Sequence, residues 1–199
     1  RIPALFVFGT DSPLYQKTIK SIFAGSYNNF VIDSDGKLYG RGQNDAELDN
    51  PIQLLAPATG YQSDFVAVQP TLPAIKQLAI GPYHILALGE NGKVYAWGLN
   101  NAGQLADTPM DSTIRAEPVE VSFGASVITA ICVGVSHSAA LTSVGTVYTW
   151  GDNSVGQLGR NPELSSSNVP TLITDGPVGN AVISTLGCTD YTTMLLAQN

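Results

Sequence analysis

His84 and His137 are the two histidines of the chain, and Cys132 and Cys188 its two cysteines. A zinc site needs several such ligands converging, and neither cysteine stands at zinc-ligand spacing to either histidine. The histidines share one position of an internal repeat, where each polar side chain is expected to tie down backbone at the entrance of a strand. With no C-x-x-C and no pairing pattern, the cysteines read as reduced thiols and small buried hydrophobes, which suits an intracellular protein better than a disulfide framework. Asp33-Ser34-Asp35-Gly36 opens like a calcium loop but is too short for one, and reads as a turn. Gly103-Gln104-Leu105 and Gly156-Gln157-Leu158-Gly159 resemble phosphate-binding loops only in their glycines, since no Gly-Lys-Ser/Thr follows and no helix opens there. They read as a turn plus a packing leucine. No Ser, His, Asp constellation and no acid pair can be assembled, so the expectation is no catalytic residue, no metal and no cofactor.

Composition narrows the setting. Hydrophobic residues make up 44% of the 199 residues and charged residues 13%, which is too apolar for disorder. Twenty glycines and 12 prolines interrupt any long helix and favour short strands with many turns. The formal charge of −7 offers no cationic surface for a phosphate backbone, so nucleic acid is not expected as a direct partner. No apolar run approaches the ~18 residues of a membrane span. The opening Arg1-Ile2-Pro3 has neither a Met nor a basic-then-apolar leader, and the sequence reads as part of a longer protein, cytoplasmic or nuclear.

Whatever site exists must be positioned by the repeat. Gly81-Pro82-Tyr83-His84 and Gly134-Val135-Ser136-His137 stand 53 residues apart, as do Gly92 and Gly145, and Trp97-Gly98 and Trp150-Gly151. A weaker copy sets Gly25, Gly36 and Gly42 each 56 residues before its partner, and Gly187 lies 53 after Gly134. On this register Asn28 and Asp190 take the histidine position. Ile22, Leu78 and Ile131 precede the glycine by three, and Ala24, Ile80 and Val133 by one, which is strand spacing. A second strand carries Ile32, Leu88, Leu141 and Met194, and ends in the turns Asp35-Gly36, Asn91-Gly92 and Val144-Gly145. The third strand reads Lys37-Leu38-Tyr39, Lys93-Val94-Tyr95-Ala96-Trp97 and Thr146-Val147-Tyr148-Thr149-Trp150. Pro51, Pro118 and Pro170 then open a fourth, outermost strand, where a missing N–H costs no ladder bond. Four strands per copy predict an all-β chain of propeller blades, each of four antiparallel strands. The copies fall at approximately 1–18 (partial), 19–56, 75–123, 127–175 and 181–199 (partial).

These landmarks closely resemble the regulator-of-chromosome-condensation repeat. The third copy supplies Gly134 to His137, Gly145, Val147-Tyr148-Thr149-Trp150-Gly151, Asn153 and Gly156-Gln157-Leu158-Gly159. The second supplies Trp97-Gly98, Asn100 and Gly103-Gln104-Leu105, with Ala106 in place of the last glycine. Upstream the pattern decays: Arg41 stands where Trp is expected, and only three residues separate Gly9 from Pro13, so a surface loop has been lost. Conversely, about fourteen residues near Ala58 to Pro73 read as an insertion, a place where loops carry variable function. The resemblance implies an incomplete ring, about four of an expected seven blades, completed by further blades or by a second chain. It implies a non-catalytic scaffold for a protein partner, and, as the second reading, guanine-nucleotide exchange on a Ran-like small GTPase. Candidate partner-binding residues are Tyr61, Asp64 and Phe65 in the insertion, with His84 and His137, because part of that motif lines the GTPase-binding face in the family's exchange factor. Trp97 and Trp150 are expected to fill the core between blades.

Overall fold

Period-two apolar segments joined by glycine turns leave the chain little to build except antiparallel sheets. The structure is a computed structural model that describes residues 9–25, 28–44, 60–68, 72–160, 166–174, 178 and 181–198. Its first sheet runs β1 (Ile19–Ala24), β2 (Asn28–Asp33), β3 (Leu38–Gly42) and β4 (Gln62–Ala67). The second runs β5 (Ile75–Ile80), β6 (His84–Gly89), β7 (Val94–Gly98) and β8 (Arg115–Val121). The third runs β9 (Ile128–Val133), β10 (His137–Thr142), β11 (Val147–Gly151) and β12 (Ser167–Leu172), and a fourth sheet has β13 (Ile183–Thr189) and β14 (Thr192–Ala197). Within each sheet neighbours in space are neighbours in sequence and all are antiparallel. The chain is therefore all-β, a row of propeller blades. Among the described residues no helix is long and apolar enough to cross a membrane.

Gly36, Gly92 and Gly145 turn β2 into β3 and its equivalents at φ of 77°, 78° and 82°, which an L side chain adopts only with strain. Asp33 closes the first of these turns, its Oδ1 accepting the N–H of Asp35 at 3.0 Å and of Lys37 at 2.9 Å. The core lies between blades. Phe30, Ile32 and Leu38 of the first blade meet Leu78, Ile85 and Trp97 of the second. Leu86, Leu88 and Val94 of the second meet Ile131, Ala140 and Trp150 of the third. Leu141, Val147 and Ile173 then meet Ile183, with Leu186 and Leu195 packed around them. Trp97 and Trp150 are fully buried in these joints, where the repeat required them.

Five expectations change. The fourth strand of the first blade is β4, inside the stretch read as an insertion, and Phe65, next to the paired Val66, stands where Pro118 and Pro170 stand beside Val119 and Thr171 in the later blades. Pro51 and Ala58 lie outside the described residues. Second, Pro118 and Pro170 sit within β8 and β12 rather than at their first residues, on outer strands whose register slips nearby. Third, Pro13, which its spacing from Gly9 sets against the later prolines, is not their counterpart. The bonds Ser12 N–H to Gly9 O and Tyr15 N–H to Ser12 O repeat those of the Gly103 and Gly156 turns, so Leu14 is the counterpart of Leu105 and Leu158. Fourth, Gly187 is not the repeat glycine. Gln198 N–H bonds Val182 O as Ser143 N–H bonds Val127 O, which places Thr189 opposite Gly134 and Thr192, not Asp190, at the histidine position. Fifth, Cys132 and Cys188 are a disulfide, with Cα atoms 5.6 Å apart. The two-residue shift sets β13 beside β9 so that these side chains meet, a proximity that no local motif signals.

Candidate functional site

The residues with the most chemistry lie inside the joint between the second and third blades. Ser138 Oγ donates to the backbone carbonyl of Gln104 at 2.9 Å, and Trp150 Nε1 donates to the same oxygen at 2.9 Å. Since Ser138 gives its single hydrogen to Gln104, the 2.8 Å contact between His84 Nε2 and Ser138 Oγ has His84 as donor. His84 is thereby fixed as the Nε2–H tautomer, and its Nδ1 is buried without a polar partner. Burial pushes its pKa down to about 3, with the charge of the neighbouring His137 acting in the same direction. His137 is lowered too, by burial, against the opposing pull of Asp152. This His–Ser pair cannot serve as base and nucleophile, because the hydroxyl proton points away from the imidazole and both residues are fully buried.

The turn residues Gln104 and Gln157 prove to be joint-formers as well. Thr193 Oγ1 donates to Gln157 O at 2.8 Å, repeating the Ser138 bond one blade later. Their side chains brace their own turns, Gln104 Oε1 accepting from Ala102 N–H and Gln157 Oε1 from Val155 N–H. Asn100 and Asn153 accept from Leu105 N–H and Leu158 N–H, which locks the leucines inward. Gly81 and Gly134 end the inner strands where a Cβ would lie 2.7 Å from Gly134 O and 2.6 Å from Thr189 O, so close backbone approach fixes their identity.

What faces solvent is a rim built at one end of the second, third and fourth sheets. The β5–β6 and β9–β10 turns sit against the loops that follow β7 and β11, through Leu99 N–H to Tyr83 O and Asp152 N–H to Ser136 O, each 2.8 Å. Neighbouring turns touch through Val135 N–H to Asp190 O. Tyr83 and Tyr191 occupy the same turn position and both are exposed. The loop from Asp107 to Arg115, between β7 and β8, is clamped by Arg115: Nε to Asp107 Oδ2 at 3.0 Å, Nη1 to Asp111 Oδ1 at 3.0 Å, and Nη2 to Pro109 O at 2.7 Å. Its tip presents Met110 outward. Asp111 is held below the usual carboxylate range by the Thr113 N–H and the Arg115 guanidinium.

The five residues singled out as partner-binding are not brought together. His84 and His137 are buried between blades, and Phe65 is buried with Leu14, Val31 and Tyr39. Asp64 accepts from Ser12 Oγ at 3.2 Å and caps the Phe65 N–H. Tyr61 alone of the five is a large exposed side chain. The rim tyrosines were missed, although the sequence held the signal: Tyr83 and Tyr27 both stand two residues after the repeat glycine, and Tyr191 joins them once the fourth copy is set on Thr189. Tyr27 lies outside the described residues. Among the described residues no group of three His, Cys, Asp or Glu is placed to hold a metal ion.

Comparison with known proteins matches this geometry. Sequences described as "Regulator of chromosome condensation (RCC1) repeat" match residues 91–141 and 144–196, and a second repeat family of the same description matches 19–46, 75–104 and 128–157. Protein pim1 of Schizosaccharomyces pombe is 30% identical over 196 residues, covering 89% of this chain and 35% of that protein. The X-linked retinitis pigmentosa GTPase regulator of Canis lupus familiaris is 35% identical over 180 residues, covering 88% of this chain and 16% of that protein. Among solved structures, Prp20p from Saccharomyces cerevisiae superposes with a TM-score of 0.75 at 20% identity, over 89% of this chain and 43% of its own. The chain thus spans a minor part of each relative.

Proposed function

Because the chain belongs to the regulator of chromosome condensation (RCC1) repeat family, we propose that it works as a non-catalytic scaffold whose loop rim docks a protein partner. The observation that carries this is the division of labour between buried and exposed groups. His84, Ser138, the Gln104 carbonyl and Trp150 are consumed in holding blade to blade, while Tyr83, Tyr191 and Met110 stand exposed. Aromatic residues and Met on a rigid frame are the side chains enriched at protein interfaces. The partner contacts first assigned to His84 and His137 move to these rim residues, and Tyr61 stays as an outlying candidate. The net charge of −7 favours a partner with a basic face over nucleic acid. An intracellular place, cytoplasmic or nuclear, belongs to the same proposal, since Prp20p was described with its binding to Gsp1p and histones. We further propose that additional blades of the same repeat, in preference to a second chain, complete the ring.

The second reading is guanine-nucleotide exchange on a Ran-like small GTPase, favoured by a relative that is itself a GTPase regulator. A pull-down from cell extract at physiological salt, wild type against Tyr83→Ala/Tyr191→Ala, tests the scaffold. A partner retained by wild type and lost in the variant supports it, and identical retention of every bound protein by both counts against this rim. Nucleotide release from a panel of small GTPases separates the readings, because a scaffold leaves the release rate unchanged.

A further inference from the structure

We infer that the joint between the third and fourth blades is held by a thiol-reducible staple, so that the redox state of Cys132 and Cys188 controls whether the β13–β14 hairpin stays docked. The repeat supplies the comparison. Cys132 precedes the repeat glycine position by two residues and Cys188 precedes Thr189, its counterpart, by one. The same pair of places is held by Phe23 and Ile80 at the first joint and by Ala79 and Val133 at the second, all packed against the apolar core of their joint. Two joints therefore close there by apolar packing alone, and the third closes covalently.

The stapled joint also has the smallest apolar cluster of the three. Among the described residues its outer member is a two-stranded sheet where the others have four strands, and an isolated two-stranded hairpin is marginal in water. The His84–Ser138 bond has no counterpart at His137, whose two nitrogens lack polar partners. Among the described residues the joint is crossed by the small cluster around Ile183 and the bonds Thr193 Oγ1 to Gln157 O, Val135 N–H to Asp190 O and Ile183 N–H to Gly145 O. Both cysteines are only partly buried, so a small thiol can reach them.

The step balances with a dithiol as reductant. One dithiol thiolate attacks a cysteine sulfur, the Cys132–Cys188 bond breaks and a mixed disulfide forms; the second thiol displaces the protein sulfur. The dithiol gives up two electrons and two protons and leaves as a cyclic disulfide, and the protein keeps two thiols. In the intracellular place proposed above, a disulfide of this kind is typically transient or redox-sensing.

Hydrogen exchange read by mass spectrometry tests it on the whole chain, untreated and after dithiothreitol. Reduction is expected to speed exchange at least tenfold over Ile183–Ala197, with β1 to β8 unchanged. A Cys132→Ala/Cys188→Val variant, which installs the pair found at the second joint, is expected to show the same exchange with and without dithiothreitol. Unchanged protection of the hairpin on reduction overturns the inference, as does loss of protection through all blades or a variant that still responds to dithiothreitol. Labelling of both cysteines by iodoacetamide in the unreduced protein overturns it at the first step.

Discussion

His84 shows how a residue type that usually signals chemistry can be spent on structure. Its imidazole is buried and neutral, with a pKa pushed down to about 3, whereas in the unfolded chain it takes up a proton near 6.5. Unfolding below that value is therefore coupled to proton uptake, so His84 adds stability that is fully present above about pH 6.5 and is lost as the pH falls toward the folded value. Each such histidine contributes up to about 1.4 kcal/mol of loss per pH unit in that window. His137, lowered in the same direction, adds to the effect. Urea midpoints at pH 7 and pH 5 should show wild type losing more stability than His84→Asn, which installs the residue that Asn28 provides in the first blade. Equal losses would mean that His84 titrates normally in the fold. Ser138→Ala probes the same chain of bonds without a titrating group. It strands the His84 Nε2–H in the joint, and a cost of about 1–3 kcal/mol is expected in the same denaturation experiment.

Elements were legible wherever a residue type is imposed by backbone geometry. The turns at Gly36, Gly92 and Gly145 need positive φ, and the joint around Trp97 and Trp150 needs bulk, so those positions announce the blades in the sequence. The outer strand was harder, because an edge strand with a register slip accepts either Pro118 or Phe65 at one place, and a proline search passes over β4. The site was less legible still. Whether the two cysteines meet and which tyrosines share a rim depend on the register of the fourth copy, and a shift of two residues separates Gly187 from Thr189. The β4 assignment has a direct check. Phe65→Ala empties a place shared with Leu14, Val31 and Tyr39 and should cost about 3–5 kcal/mol, while Tyr61→Ala, just outside the strand and exposed, should stay within about 0.5 kcal/mol. Equal, small effects on thermal or urea unfolding would restore the inserted loop.

Across the whole molecule the three joints between blades define what a covered face looks like, and both ends of the row present one that is uncovered. Ile22 holds the register of Leu78 and Ile131, yet it is 77% exposed where they are 5% and 2%. At the other end Met194 and Leu196 stand where Leu86 and Leu88 are fully buried, and are 53% and 63% exposed. Beside Ile22 a groove of about 460 Å³, lined by Phe23, Val31, Arg41 and Phe65, lies open on the side where a preceding blade would pack. Ile22→Lys should therefore leave the stability of this chain within about 0.5 kcal/mol of wild type, whereas Leu78→Lys buries an unpaired ammonium in the first joint and should unfold it. If the two substitutions are equally damaging, the first face is already covered within the chain. The same exposed residues should bind an apolar dye, and Ile22→Lys combined with Met194→Lys should lower that signal while the circular dichroism spectrum stays unchanged. Sedimentation then separates the two ways of covering the faces: association that rises with concentration and is lost in the double variant points to a second chain, and a monomer at all concentrations points to further blades of the same repeat.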